Sequence, residues 1–139
     1  WTSVNYALAG WLYMLRRQKN TRIMSVVSIA IFIIGIWLGI SRIEWSLLIV
    51  VITIVWLAEF INAGIEAAID IAAPDIHPMA QVGKDVASAA VLLGVISSVL
   101  VGMLILAPPF LAKFGIILFS ILKMNICHFI KHICNGFVL

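Results

Sequence analysis

Read by its apolar and polar positions, the chain falls into long apolar runs parted by short polar breaks. Residues 23–40, IMSVVSIAIFIIGIWLGI, carry no charge, and about 20 such residues cross a bilayer core as a helix. A short connection, SRIEW, brings in Arg42 and Glu44. Residues 45–72 predict a second helix, apolar through Ala58, with polar groups recurring from Glu59 onward. Pro74 and Pro78 bracket a loop, and residues 79–107 predict a third helix whose first turns carry Gln81, Lys84, Asp85 and Ser88. Pro108-Pro109 is expected to stop that helix, because proline lacks the amide donor and its ring clashes with the preceding turn. Residues 110–139 are apolar again but interrupted by Lys113, Lys123, His128, Lys131 and His132, which suits a fourth span or an interfacial tail. Ahead of these runs, residues 1–20 mix Trp1, Tyr6, Trp11 and Tyr13 with Ala and Leu and end on Arg16, Arg17 and Lys19, with Arg22 following. Aromatics with a basic end suit an amphipathic helix lying in a membrane interface, where they serve first as an anchor. The expected fold is therefore all-α and polytopic. A surface helix precedes three transmembrane helices, with an extra C-terminal apolar helix as an option. Residues 1–107 form the membrane domain and 108–139 the tail.

Composition supports that reading. Of the 139 residues, 64% are hydrophobic and 11% charged, against about 45–50% and about 25% in soluble domains; a water-soluble globule is excluded. The net charge of +3 is not a nucleic-acid signal, because the cations gather at the ends of apolar runs, as membrane-flanking residues do. The basic cluster before the first span assigns the N-terminus to the cytoplasm, and the loop near residues 71–84 to the same side. Cys127 and Cys134 define no disulfide framework. The spacing Cys127-His128 and His132-x-Cys134 matches no standard zinc pattern. The chain starts at Trp1 rather than Met, which leaves the completeness of its N-terminus open. No signal peptide is visible, since the basic cluster leads into a full-length span.

The chemistry gathers between Glu59 and Ser88, a stretch with five of the chain's six acidic residues. Glu59, Asn62, Glu66 and Asp70 are spaced i, i+3, i+7 and i+11, within a helical sector of roughly 80°. Carboxylates on one face of a membrane helix point to function. Phosphoryl transfer to an alcohol asks for a base, metal ligands and a cation on the phosphates. Glu59, the deepest carboxylate, can take a hydroxyl proton, and Glu66 and Asp70 offer hard oxygens suited to Mg²⁺. Lys84 can hold a phosphate, with Asp85 orienting or pairing with it, and Ser88 shares the face of Lys84. There is no Walker P-loop and no kinase glycine-rich loop. Spacing alone leaves three readings open: catalysis, a proton or cation pathway in a small coupled membrane protein, and a structural polar cluster. His77, between Asp75 and Pro78, reads on residue chemistry as a loop or helix cap.

The order Glu59-xx-Asn62-xxx-Glu66-xxx-Asp70, then His77-Pro78-Met79-Ala80, Lys84-Asp85 and Ser88-Ala89-Ala90-Val91, closely resembles the small integral-membrane prokaryotic diacylglycerol kinases, which include undecaprenol kinases. Asn20-Thr21-Arg22-Ile23 is similar to the family's N-x-R-I element before the first span. The resemblance covers about residues 4–107. It implies an ATP- and Mg²⁺-dependent lipid kinase, a homotrimer with shared sites, in the bacterial inner (plasma) membrane with its active site at the cytoplasmic face. The reaction it implies converts diacylglycerol to phosphatidic acid, or undecaprenol to undecaprenyl phosphate. By position, Glu59 matches the general base and Glu66 a metal ligand that also belongs to the nucleotide site. Asn62, Asp70 and Ser88 match other active-site positions. Asp75, His77, Lys84 and Asp85 match the nucleotide-contacting segment, and Tyr6 and Arg22 fall where the family has N-terminal contacts to nucleotide and lipid.

Two departures stand out. The family usually has a metal-binding Glu two residues before the N-x-R-I asparagine, and here that position is Gln18. A neutral amide oxygen can ligate Mg²⁺ but removes a full charge, which raises the alternative of a catalytically weakened copy. The tail after Pro108-Pro109 is the second departure, since short family members lack it.

Overall fold

A computed structural model of the chain describes the backbone of residues 2–73 and 77–136, with side chains as far as Ile116. The described elements are four helices: α1 (Thr2–Arg17), α2 (Lys19–Leu38), α3 (Arg42–Ala72) and α4 (Pro78–Gly136). By length and composition, α2, α3 and the Pro78–Ile116 part of α4 can each cross a membrane. This is the all-α polytopic membrane architecture that the apolar runs predict.

Local sequence explains where each helix starts and stops. Arg16 and Arg17 occupy the last turn of α1, where cations complement the negative end of the helix dipole. Gln18 then breaks the helix in an extended conformation (φ −94°, ψ 118°) before α2 begins. Gly39 ends α2 at φ 70°, the left-handed conformation that glycine adopts without penalty. Its amide and that of Ile40 both return to the Gly35 carbonyl, at 3.0 and 3.4 Å. Only Ile40 separates that cap from Ser41, the N-cap of α3. Ser41 and Glu44 form a reciprocal capping box: the Glu44 amide donates to Ser41 Oγ at 3.3 Å, and the Ser41 amide donates to Glu44 Oε2 at 2.6 Å. Arg42, Ile43 and Glu44 are therefore the first turn of α3, not part of a connection as the reading of SRIEW expected.

The larger correction concerns Pro108-Pro109. They do not stop the third span; α4 runs through them as one helix of 59 residues, about 88 Å long at 1.5 Å per residue. The expected separate C-terminal helix is thus a continuation of the third span over the described backbone. Two missing amide donors are tolerated in membrane helices when neighbouring groups hold the segment in register. Such groups lie directly past the prolines. Phe110 meets Trp37 edge-on, with ring centroids 6.2 Å apart, and stacks on Phe114 at 5.6 Å. Lys113 donates to the Trp37 carbonyl oxygen and lies 4.7 Å over the Trp37 ring.

Helices α3 and α4 form the most extensive pair. Their interface is built on Val55, against which Gly94 lies so closely that an added Cβ would meet the Val55 Cα at 3.8 Å. Small residues of this kind let backbones approach in lipid, where burial of apolar surface gives helices little drive to associate. At the other end, Gly35 gives way to Trp45: a Cβ there would lie 2.8 Å from the indole ring, which in turn stacks on Phe32 at 5.4 Å. The α1 helix folds back onto α3 through Trp11, whose ring stacks on Trp56 at 5.0 Å and 12° and meets Phe60 at 5.5 Å. Trp56 is pinned from its far edge by an indole N–H bond to Ser28 Oγ at 3.2 Å. The N-terminal aromatics thus do more than anchor: Trp11 docks α1 onto α3.

Candidate active site

The acidic stripe occupies the second half of α3. Glu59 lies 17 residues past Arg42, roughly 26 Å along an axis that crosses a core of about 30 Å. Glu66 and Asp70 lie about two and about three turns farther toward the water. Burial follows that order. Glu59 is 4% exposed and Asn62 is also buried, Glu66 is half-buried, and Asp70 is exposed.

Each polar group of the stripe meets a different partner. Asn20, from the first turn of α2, supplies the polar neighbour of the Glu59 carboxyl, and both line an open-sided cavity of about 660 Å³ between α2, α3 and α4. The rest of that cavity is almost wholly apolar, so a carboxylate and an amide stand at one end of a greasy channel. Asn62 Nδ2 donates to Glu66 Oε1 at 2.9 Å, while Asn62 Oδ1 is buried without a hydrogen-bond partner. Asn62 faces a second cavity of about 460 Å³, on the other side of the α3–α4 pair. At the end of the stripe, Lys84 of α4 forms an ion pair with Asp70. That pairing differs from the Lys84–Asp85 contact that adjacency suggests, since neighbours on a helix point about 100° apart. Asp85 instead accepts from Gln81 Nε2 at 2.8 Å, one turn back on the same face.

His77 sits just before α4. Its Nδ1 accepts from the Met79 amide at 3.2 Å, and its carbonyl accepts from Ala80 and Gln81. It closes the first turn of α4, the capping role that residue chemistry suggested. Ser88 is exposed on α4, one turn beyond Lys84. Tyr6 is 77% exposed on α1 and Arg22 is exposed on α2. The hydrogen bonds among the described residues do not tie Tyr6, Gln18 or Arg22 to the α3 carboxylates. Asp75 lies outside the described residues, as do the side chains of Cys127, His128, His132 and Cys134.

One part of the site was missed in the sequence. Asn20 was visible there only as the first letter of a four-residue element, yet it is the α2 group that addresses Glu59. Beside it, Thr21 is fully buried with its hydroxyl unpartnered.

With this geometry in place, comparison with known proteins is decisive. The sequence model of prokaryotic diacylglycerol kinase matches residues 5–106. The chain belongs to that family. It is 32% identical over 111 residues to the diacylglycerol kinase of Synechocystis, covering 79% of this chain but 63% of that protein; the chain thus spans a little under two thirds of that relative's length. It is 30% identical over 93 residues to the undecaprenol kinase of Bacillus subtilis, covering 67% of this chain and 76% of the relative. The diacylglycerol kinase of Pseudomonas aeruginosa is 31% identical over 88 residues, 63% of this chain and 72% of that protein. The family segment contains every candidate site residue and ends just before Pro108-Pro109, so Phe110 and Lys113 lie beyond it.

Family membership raises the question of Mg²⁺. Among the described residues no group of three or more His, Cys, Asp or Glu side chains gathers around one point. Mg²⁺ needs no such cage: it usually takes one or two carboxylates and completes its shell with water and phosphate oxygens. The Glu66 carboxylate, held by an Asn62 amide whose own oxygen is buried and free, has the hard-oxygen chemistry that this ion takes.

Proposed function

We propose that the protein is a lipid kinase that transfers the γ-phosphoryl group of ATP to the hydroxyl of a membrane lipid, either diacylglycerol or a polyprenol such as undecaprenol. The carrying observation is the position of Glu59: a carboxylate 4% exposed at the polar end of an apolar cavity. A lipid alcohol entering with its hydroxyl first meets a base there.

The chemistry follows from the stripe. The hydroxyl proton passes to a Glu59 carboxylate oxygen as the lipid oxygen bonds to the γ-phosphorus. The bond from that phosphorus to the β–γ bridging oxygen breaks, and ADP leaves. Asn20 orients the Glu59 carboxyl. Glu66 would hold Mg²⁺ with the Asn62 amide oxygen, and Gln18 would stand in the second ligand position. Bound there, the ion would offset the negative charge of the phosphates. Lys84 exchanges Asp70 for the nucleotide phosphates, a trade open to an ion pair whose members are 35% and 65% exposed. His77 and Asp85, at the start of α4, would contact the nucleotide together with Asp75, Tyr6 on α1 and Arg22 on α2 would add contacts to nucleotide and lipid, and Ser88 lies one turn from Lys84. ATP binds on the cytoplasmic side of the bacterial inner membrane, the side that the basic cluster Arg16–Arg22 assigns to the N-terminus. The working unit is a homotrimer.

Replacing Glu59 separates catalysis from binding. Glu59→Gln keeps the shape and loses the base, so kcat falls by about 10²–10⁴-fold with the lipid KM little changed. A Gln variant that turns over like the native protein removes Glu59 from the chemistry and with it this mechanism.

A further inference from the structure

One ring in the wall of the Glu59 cavity is also held from outside. Trp11, Trp56 and Phe60 form a cluster in which each ring meets the other two, at centroid distances of 5.0, 5.5 and 6.1 Å. Of the three, Trp56 alone lines the cavity, three residues before Glu59 on α3. Its indole N–H donates to Ser28 Oγ at 3.2 Å, and Ser28 lines the same cavity from α2. No residue of α1 lines the cavity, so α1 meets its wall from behind, through the stack of Trp11 on Trp56. Three things therefore act on one indole: α1 on its face, α2 on its edge, and the occupant of the cavity on its inner side.

We propose that Trp56 is a positioning residue that couples the filling of the cavity to the docking of α1. The proposal rests on the lipid-kinase reading, under which the hydrocarbon of the lipid acceptor fills the cavity. Hydrocarbon against the inner side of the indole adds dispersion contacts and restricts the ring to the orientation that the Ser28 bond and the Trp11 stack favour. A ring ordered by one partner costs less to order for the other, which gives positive cooperativity without a change of shape. Lipid thus tightens α1 on α3, and docked α1 tightens the hold on lipid by the same factor, because coupling between two binding equilibria is reciprocal. Since α1 carries Tyr6 and leads into Gln18, the nucleotide side of the site closes as the lipid side fills.

The test uses the full chain in mixed micelles without ATP, with and without dioleoylglycerol and, in a second series, undecaprenol. Trypsin cleavage after Arg16 or Arg17, at the end of α1, reports the docking of that helix. In the native protein at least one of the two lipids slows the cut about fivefold or more, the lower end of couplings of this kind. Trp56→Leu keeps an apolar wall but offers Trp11 no ring; its cut is faster, and lipid slows it less than about twofold. Trp56→Phe keeps a flat ring, restores the lipid effect and guards against a misfolded Leu variant. Reciprocity supplies a second readout: Trp11→Ala, a change outside the cavity, raises the lipid KM about fivefold or more at saturating ATP. A Trp56 that only props up α1 would change the rate of the cut in the Leu variant and leave the lipid effect intact. That result, or a native cut that neither lipid slows, overturns the coupling, and phosphate transfer to lipid in the same preparation leaves the kinase standing. Protection by lipid that Trp56→Leu abolishes, without any transfer when ATP and Mg²⁺ are added, keeps the coupling as a property of a lipid site and removes the kinase.

Discussion

The docking of α1 onto α3 hangs on one side chain, and its removal has a calculable effect. Trp11 stacks on Trp56 at 5.0 Å and meets Phe60 at 5.5 Å, two aromatic pairs each worth about 0.5–1.5 kcal/mol beyond the area they bury. Trp11 is half exposed, so the lower part of the summed range applies, about 1–2 kcal/mol, or a five- to thirty-fold shift in the docking equilibrium. Trp11→Ala should therefore free the α1–α2 junction at Gln18. Trypsin reads this directly, because Arg16 and Arg17 sit at that junction and cleavage of a transiently opened segment tracks its open population when reclosing is fast. The expected result is a five- to thirty-fold faster cut after Arg16 or Arg17, with Trp11→Phe close to the native rate. Since α1 carries Tyr6 and leads into Gln18, the Ala variant should also raise the KM for ATP. Equal cleavage rates in the Trp11→Ala and native proteins would refute the claim that the stack holds α1 in place.

Other substitutions probe the helix contacts and the site. Gly35→Ala sets a methyl group 2.8 Å from the Trp45 ring and should destabilise the protein by about 1–3 kcal/mol, read as an earlier unfolding midpoint in a denaturant titration in mixed micelles. Lys84→Ala should change stability by less than about 1 kcal/mol, since its partner Asp70 is exposed and such pairs are weak. The same change should weaken ATP binding by about 10–150-fold, the worth of a hydrogen bond to a charged group; isothermal titration separates the two effects. Gln18→Glu restores a carboxylate and should lower the Mg²⁺ concentration needed for half-maximal transfer. If the native chain is a weakened copy, this one change creates activity where there was little.

Much of the architecture could be read from the sequence because membrane helices announce themselves by unbroken apolar length. The charge-free run before Gly39 and the acidic stripe on α3 are local signals, and the structure follows them. The start of α3 is equally legible, since Ser41-x-x-Glu44 is a capping-box spacing, although Arg42 and Glu44 look like loop residues in an apolar context. Pro108-Pro109 misled for a different reason. A proline's local cost is fixed by its own chemistry, but the contacts made just past the pair come from Trp37, 71 residues earlier in the chain, which no spacing rule connects to Phe110 and Lys113. The Asp70–Lys84 pair and the Asn20–Glu59 contact are likewise products of packing between helices. Sequence spacing showed that the carboxylates share a face; it did not show which partner each would meet.

The central claim is transfer of phosphate to a lipid hydroxyl by way of Glu59. The most direct measurement is incorporation from γ-labelled ATP with Mg²⁺ in mixed micelles, with diacylglycerol and undecaprenol run side by side and Glu59→Gln as the control. The account predicts label in at least one of the two lipids, lost by about 10²-fold or more in the Gln variant. Label in neither lipid, although ATP binds, or equal label with Glu59→Gln, would contradict it.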